Sequence, residues 1–175
     1  MQQMWTDIDH YIDSHLIPND PILTQTLKHT AERGFPDHLA VAPNQGMLLQ
    51  MLIQMNKCKR ILELGTFAAY STLWLARALP EDTEAFDFIF IDADKQSYPE
   101  YLELSLNLSH SGTIIVLDNV IRSGAILDQN NVKPSIEGIR QMFEALSNHP
   151  RILSCTALQT VGSKGHDGFA LAIVK

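Results

Sequence analysis

Phe88-Ile89-Phe90-Ile91-Asp92-Ala93-Asp94-Lys95 joins an unbroken apolar run to two carboxylates and an amine. Aromatic and β-branched residues without polar alternation suit a parallel strand buried on both faces by helices. In open sheets of that kind, ligands bind beyond the carboxyl ends of the strands. Asp92, Asp94 and Lys95 therefore stand where chemistry is expected. Thr113-Ile114-Ile115-Val116-Leu117 repeats the design and ends in Asp118-Asn119.

Two parallel neighbours lie about 4.8 Å apart, so Asp92 and Asp118 at matching strand ends would repel each other unless they shared a cation. With the Asn119 side-chain carbonyl as a third ligand, the set is all oxygen and leaves places for water and substrate, as Mg²⁺ accepts. A plainer reading has Asp capping the next helix and Asp-Asn turning the chain. It accounts for either pair alone; the repetition favours the shared cation. As an edge ligand, Asp118 is expected to be replaceable by Ala without harm to the fold.

The 175 residues suffice for one domain with a core of its own, 1–57 as N-terminal helices and 58–175 as the sheet core. Thirteen basic against twenty acidic side chains give a formal charge of −7, and no Lys/Arg stripe forms, so nucleic acid and anionic membrane are poor partners. No apolar run approaches a membrane span and the N-terminus lacks a signal pattern, so the expected location is the cytoplasm. Cys58 and Cys155 have no CxxC pattern and read as reduced, partly buried thiols. The seven histidines are scattered without an i, i+4 pair, which argues against zinc.

Trp5, Ile8, Ile12 and Leu16 recur at helical spacing, and Ile22, Leu23 and Leu27 follow Pro18 and Pro21. These predict amphipathic helices outside the sheet or against another subunit. A Met- and Leu-rich helix from about residue 45 to 55 precedes a first strand, 60–64. Gly65 then opens a turn into a helix over 71–79, where a ligand can approach the backbone. After 80–85 and the central strand come a helix over 98–108, a turn at Ser111-Gly112, the strand 113–117, a polar loop 124–134 and a helix 135–148. Two final strands, 152–161 and 168–174, joined by so short a connection, must pair antiparallel. The fold class is α/β, a mostly parallel sheet with an antiparallel end.

Val41-Ala42-Pro43-Asn44-Gln45-Gly46, the run Ile61 to Ser71, Phe88 to Lys95 with Tyr98, Val116 to Gly124, and Asp167-Gly168-Phe169-Ala170-Leu171 occur in this order. In these stretches the chain resembles the magnesium- and S-adenosylmethionine-dependent O-methyltransferases that include catechol and caffeoyl-CoA O-methyltransferases. The resemblance implies a Rossmann-like class I methyltransferase sheet. It also implies Asp92, Asp118 and Asn119 as ligands of Mg²⁺ or another divalent cation, and Lys95 as the base for the acceptor hydroxyl. Val41, Glu63, Gly65, Thr66, Ser71, Asp92, Ala93 and Tyr98 would be cofactor contacts. The implied substrate is a small catechol-like or vicinal-diol acceptor.

One part of the pattern is missing. Between the first helix and the central strand the family carries two further strands with their helices, a piece of roughly 40 to 60 residues. Here only Pro80-Glu81-Asp82-Thr83-Glu84-Ala85 intervenes, so the sheet is expected to lack strands 2 and 3, the gap falling between Thr83 and Glu84. The lost piece would supply the acidic residue that binds the ribose in dinucleotide-type folds; Glu81, Asp82 and Glu84 are misplaced substitutes. Direct passage from first to central strand from the same face would be left-handed, against a rule obeyed in about 98% of cases. The helix must change face, be exchanged between subunits, or break that rule. The uncovered first strand predicts a homodimer, with exchange of elements one route to it. Two functions follow: an O-methyltransferase, or a catalytically weak or silent relative that retains the metal site but not the cofactor.

Overall fold

The computed structural model describes residues 1–32, 40–66, 70–78 and 86–175. It resolves into two compact units. Met1–Cys58, Thr66–Pro80 and Gly162–Gly165 form the first, and Lys59–Gly65, Glu81–Val161 and His166–Lys175 the second. The leading segment of the first unit ends at Cys58, and the helix after the first strand and the tip of the last hairpin group with it.

The first unit holds α1 (Gln2–Leu16), α2 (Pro21–Glu32), α3 (Pro43–Met55) and α4 (Tyr70–Ala76). Asp20 starts α2 by accepting the Ile22 and Leu23 N–H groups on Oδ1 at 2.9 and 3.2 Å, ahead of Pro21 in the first turn, where its missing N–H costs nothing. Leu23, Leu49, Ile53, Tyr70 and Trp74 are buried. On α1 the expected apolar face is largely in water: Ile8 is 49% and Leu16 71% exposed, and the buried residue is Asp9. Its carboxylate accepts the Ser163 N–H at 2.7 Å and the Asn44 amide at 3.3 Å, fixing the hairpin tip.

The second unit is the sheet. Its strands are β1 (Ile61–Leu64), β2 (Phe86–Ile91), β3 (Ser109–Asp118), β4 (Ile152–Gly162) and β5 (Gly165–Val174), in the order β1-β2-β3-β5-β4. β1, β2 and β3 are parallel, and β3 pairs antiparallel with β5. Among the described residues β1 is thus a sheet edge, as expected from the missing strands. Helices α5 (Tyr98–Asn107) and α6 (Pro134–Asn148) cover one face, where Ile89, Ile91, Ile115, Leu117, Ala170 and Ala172 meet Leu102, Leu106, Ile139 and Met142 in one core. Phe88 and Phe90, which alternate onto the other face, are also fully buried, as an all-apolar parallel strand requires.

Several boundaries move. The turn expected at Ser111-Gly112 lies inside β3, as an irregularity between the Phe86↔Ser109 and Phe88↔Ile114 pairs. The hairpin connection shrinks to Ser163-Lys164 because the strands extend toward each other. Cys155 on β4 is exposed, contrary to the reading of both thiols as partly buried. The connector 79–85, including Glu81, Asp82 and Glu84, lies outside the described residues, and with it the route from α4 to β2. Among the described residues no helix is long and apolar enough to cross a membrane.

Two contacts lock the strand ends. At the amino ends, Asp87 Oδ2 accepts the Lys59 and Arg60 N–H groups at 2.6 and 3.1 Å, and Asp87 Oδ1 meets His110 Nε2 at 2.8 Å. The Ser111 carbonyl and Asp87 raise the His110 pKa. Burial pushes Asp87 up, but the two backbone N–H groups and His110 outweigh it, so its pKa is lowered. At the carboxyl ends, the fully buried Tyr98 donates its hydroxyl to the Asp118 carbonyl at 2.6 Å, with the Ile91 carbonyl at 3.2 Å.

A group whose pKa is raised on folding stabilises below its unfolded value and loses that contribution as pH rises through its folded value; a lowered carboxylate does the reverse on acidification. The Asp87–His110 contact is therefore complete between about pH 4 and 6.5, the two unfolded values. Thermal melts at a series of pH values should show His110→Ala most destabilised near pH 6, with the difference from the parent chain shrinking as pH rises above 6.5. Tyr98→Phe leaves the Asp118 carbonyl without its buried donor and should cost about 1–3 kcal/mol in chemical denaturation.

Candidate active site

Register builds the site. Leu64, Ile91 and Leu117 are aligned across three parallel strands, so the next residues on β2 and β3, Asp92 and Asp118, end side by side. The Asp92 N–H is held by the Leu64 carbonyl at 2.8 Å. Gly65 follows with φ +90°, and a β-carbon there would run into the Asp92 carbonyl. That glycine is required by the chain crossing the Asp92 backbone closely, a tighter reason than the ligand approach expected from sequence.

Asp92 Oδ1 accepts from Lys95 Nζ at 2.7 Å, and the Lys95 side chain is only 11% exposed. Its ammonium also lies 4.9 Å from the Tyr98 ring centroid, on the electron-rich face of an aromatic. Asp118 is 4% exposed, and its Oδ1 accepts the Asn119 N–H at 2.7 Å. Asn119 takes φ +58°, a left-handed turn that asparagine tolerates better than most residues. Asp118 is thus a buried turn-former, which corrects the expectation of a dispensable edge ligand. Asp94 has the plainer role, accepting the Ser97 hydroxyl at 2.9 Å in the short turn Lys95–Ser97.

The ligand set offers two carboxylates and one amide carbonyl, hard oxygens of the kind Mg²⁺ takes, and Lys95 already balances one of the negative charges. No three His, Cys, Asp or Glu side chains cluster as a cage among the described residues, so Asn119 is needed to complete a protein-derived triad. The chemistry of the donors fits the cation.

The other anticipated contacts divide. Glu63, Gly65, Asp92 and Ala93 share the strand-end region of the second unit. Val41, buried at 8% exposure, and Thr66 and Ser71 belong to the first. Tyr98, anticipated as a cofactor contact, is instead completely buried under the ligand strands with its hydroxyl on the Asp118 carbonyl. Burial raises its pKa strongly, helped by the charges of Asp92, Asp118 and Asp167, so it stays protonated and donates.

Two residues were missed by the sequence reading. Asp167 Oδ1 accepts the N–H groups of Ile121 and Arg122 at 2.9 Å each and of Gly168 at 3.0 Å, pinning the chain that leaves Asn119. Gly138 on α6 rests on the backbone of Lys95 and Gln96 so closely that a β-carbon would strike the Lys95 carbonyl. A glycine inside a helix, unfavourable by about 1 kcal/mol, was the available signal for the latter.

Comparison with known proteins agrees with this geometry. The family model described as O-methyltransferase matches residues 13–85 and 83–172. A catechol O-methyltransferase of Niastella koreensis is 39% identical over 220 residues, covering 99% of each chain. One from Mycobacterium tuberculosis is 32% identical over 213 residues, covering 97% of this chain and 96% of its own. Among solved structures, the O-methyltransferase from Bacillus cereus in complex with SAH superposes with a TM-score of 0.95 at 39% identity, over 100% of both chains. The Niastella alignment has 220 positions against 175 residues here, so at least 45 of its positions face a gap in this chain. The family model's two matched segments meet at 83–85, where that gap was expected. With the strand order, the paired carboxylates and these matches in agreement, the chain belongs to the O-methyltransferase family.

Proposed function

We propose that this protein transfers a methyl group from S-adenosylmethionine to a hydroxyl of a small catechol-like or vicinal-diol acceptor. The observation that carries the reading is the β2/β3 register, which sets Asp92 and Asp118 next to each other with Asn119 following in a tight turn. Asp92, Asp118 and Asn119 would hold Mg²⁺. When bound, such a cation draws negative charge onto adjacent acceptor oxygens and makes their deprotonation easier.

The chain's own residues do the rest. Lys95, once it has given up its own proton, would take the proton from the acceptor hydroxyl. Its position is fixed by Asp92 on one side and the Tyr98 ring on the other, and a base must be held within hydrogen-bond reach of the proton it removes. The oxygen then attacks the methyl carbon: the C–O bond forms as the carbon–sulfur bond breaks, and the sulfonium leaves as the neutral thioether. Glu63, Gly65 and Ala93 are the strand-end residues that would touch the cofactor. Positioning of donor and acceptor supplies much of the remaining acceleration. The cofactor reading draws support from the SAH-bound Bacillus cereus relative, and the acceptor class from the names of the catechol O-methyltransferases.

A second reading has one specific observation behind it. The 45 or more absent positions fall where dinucleotide-type folds place the ribose-binding acid, so the chain would keep the cation site without the reaction. Homodimer formation belongs to either reading. It is supported by the uncovered β1 edge and by β4, an outer strand with Leu153, Leu158 and Val161 more than half exposed.

Calorimetric titration of S-adenosylmethionine into the protein with Mg²⁺ present, followed by mass analysis of catechol after incubation, separates the two. Saturable binding and a methylated product are expected; Mg²⁺ binding with neither would establish the silent relative. Asp118→Asn, which keeps the volume of this buried side chain, should weaken Mg²⁺ binding at least tenfold at little cost in melting temperature. Unchanged Mg²⁺ affinity in that variant would remove Asp118 from the ligand set.

A further inference from the structure

The loop that leaves the ligand strands has a shape the reaction scheme does not explain. Arg122, Ser123 and Gly124 have φ of +54°, +54° and +83° in succession, and the first two pay a steric cost that glycine does not. Such a run persists only where surrounding contacts over-determine it. Asp167 holds its entrance, as described above. Its far half carries its own turns, Asp128 Oδ1 accepting the Asn130 N–H and Asn131 Oδ1 the Lys133 N–H, and is held from outside the loop by Arg140 of α6.

Arg140 Nε donates to the Ile126 carbonyl at 3.0 Å, one terminal nitrogen to the Asn131 carbonyl at 3.0 Å, and the other to the Asp128 carbonyl at 2.6 Å. Glu137 Oε1 steadies the guanidinium from the same helix at 2.5 Å. Three carbonyls of one loop converge on a single planar fork, a geometry lysine cannot reproduce. Leu127 lies between two of the bound carbonyls and Val132 directly after the third, and these side chains are 77% and 73% exposed. Gly138, two residues before Arg140, contacts the Lys95 backbone. One turn of α6 therefore touches both the base and this loop.

Resting on the functional reading above, we propose that Arg140 is the positioning residue of an acceptor loop. Its guanidinium fixes Leu127 and Val132 as an apolar wall for the organic body of the acceptor, while the acceptor's oxygens meet the ligand strands. A merely structural staple would add stability and leave acceptor affinity alone.

The test compares Arg140→Ala, Arg140→Lys and Leu127→Ser. The readouts are amide hydrogen exchange over 126–132, titration with Mg²⁺ alone, and titration with catechol in the presence of Mg²⁺. Arg140→Ala should speed exchange in the loop and weaken catechol binding about tenfold, with Arg140→Lys recovering little of either. Leu127→Ser, which keeps every Arg140 bond, should weaken catechol binding by a similar factor, in the range expected for a lost leucine contact, without changing exchange. Mg²⁺ affinity should be the same throughout.

Faster exchange with unchanged catechol affinity would overturn the proposal, as would wild-type affinity in Leu127→Ser. So would a parallel loss of Mg²⁺ and catechol binding in the arginine variants. If Arg140→Ala does not fold, the lysine and serine variants decide. A parent chain that binds neither Mg²⁺ nor catechol would overturn the functional reading and this inference with it. A parent that binds both while the variants behave alike overturns this inference only.

Discussion

Two carboxylates placed side by side at the ends of neighbouring parallel strands are the constraint around which this protein is built. At the strand spacing of about 4.8 Å, and with an effective dielectric constant near 20, their repulsion is about 3 kcal/mol. That is a large fraction of a typical domain's net stability. The fold answers it locally: Lys95 stands 2.7 Å from Asp92 Oδ1, and Asp118 Oδ1 takes the N–H of its own successor. A site lined by two carboxylates and an amide carbonyl is suited to a hard divalent cation, and the same two carboxylates would make it a poor place for an anion.

Holding those charges in place takes packing beneath and bracing above. Beneath, Ile89, Ile91, Ile115 and Leu117 sit in a continuous core with α5 and α6, so neither strand end can shift without disturbing fully buried side chains. Tyr98 ties the two ends together through the Asp118 and Ile91 carbonyls, and its own acidity is suppressed by burial and by the acids around it. Above, α6 reaches the Lys95 turn through Gly138 and the departing loop through Arg140. A helix that contacts the Lys95 turn and the loop within one turn gives them a common reference, which matters where a small misplacement costs much of the rate.

How much of this was legible depended on how local the signal was. The strands 88–91 and 113–117, their acidic ends and the antiparallel final pair could be read directly, because each is a short run whose pattern carries its own explanation. The adjacency of Asp92 and Asp118, with Asn119 next in the chain, followed from two such runs. Gly138, Arg140 and Asp167 could not be read in that way. Asp167 acts on residues 45 and 46 positions away, and Arg140 on backbone carbonyls, which carry no sequence identity. Tyr98 was noticed but given the wrong task, since spacing shows that a residue is near a site without showing whether it faces the ligand or lies beneath it. On α1 helical periodicity finds the helix and its face but not which member of that face is buried: Asp9, one turn from both Trp5 and Ile12, is buried while Ile8 and Leu16 are exposed.

The missing positions fall on one side of this architecture. β2 keeps both parallel neighbours, with Leu64 paired to Ile91 and Ile91 to Leu117, so the residues proposed to hold the cation and remove the proton are flanked as they would be in a longer sheet. The loss falls beyond β1, now the edge, and takes with it the strand whose end would meet the ribose. In the proposed reading the acceptor is activated at the ends of β2 and β3, while the nucleoside is held at the ends of β1 and β2 and of the absent outer strand. Because parallel strands each deliver their residues at their own carboxyl end, removing an outer strand can delete one of these tasks without displacing the side chains that perform the other.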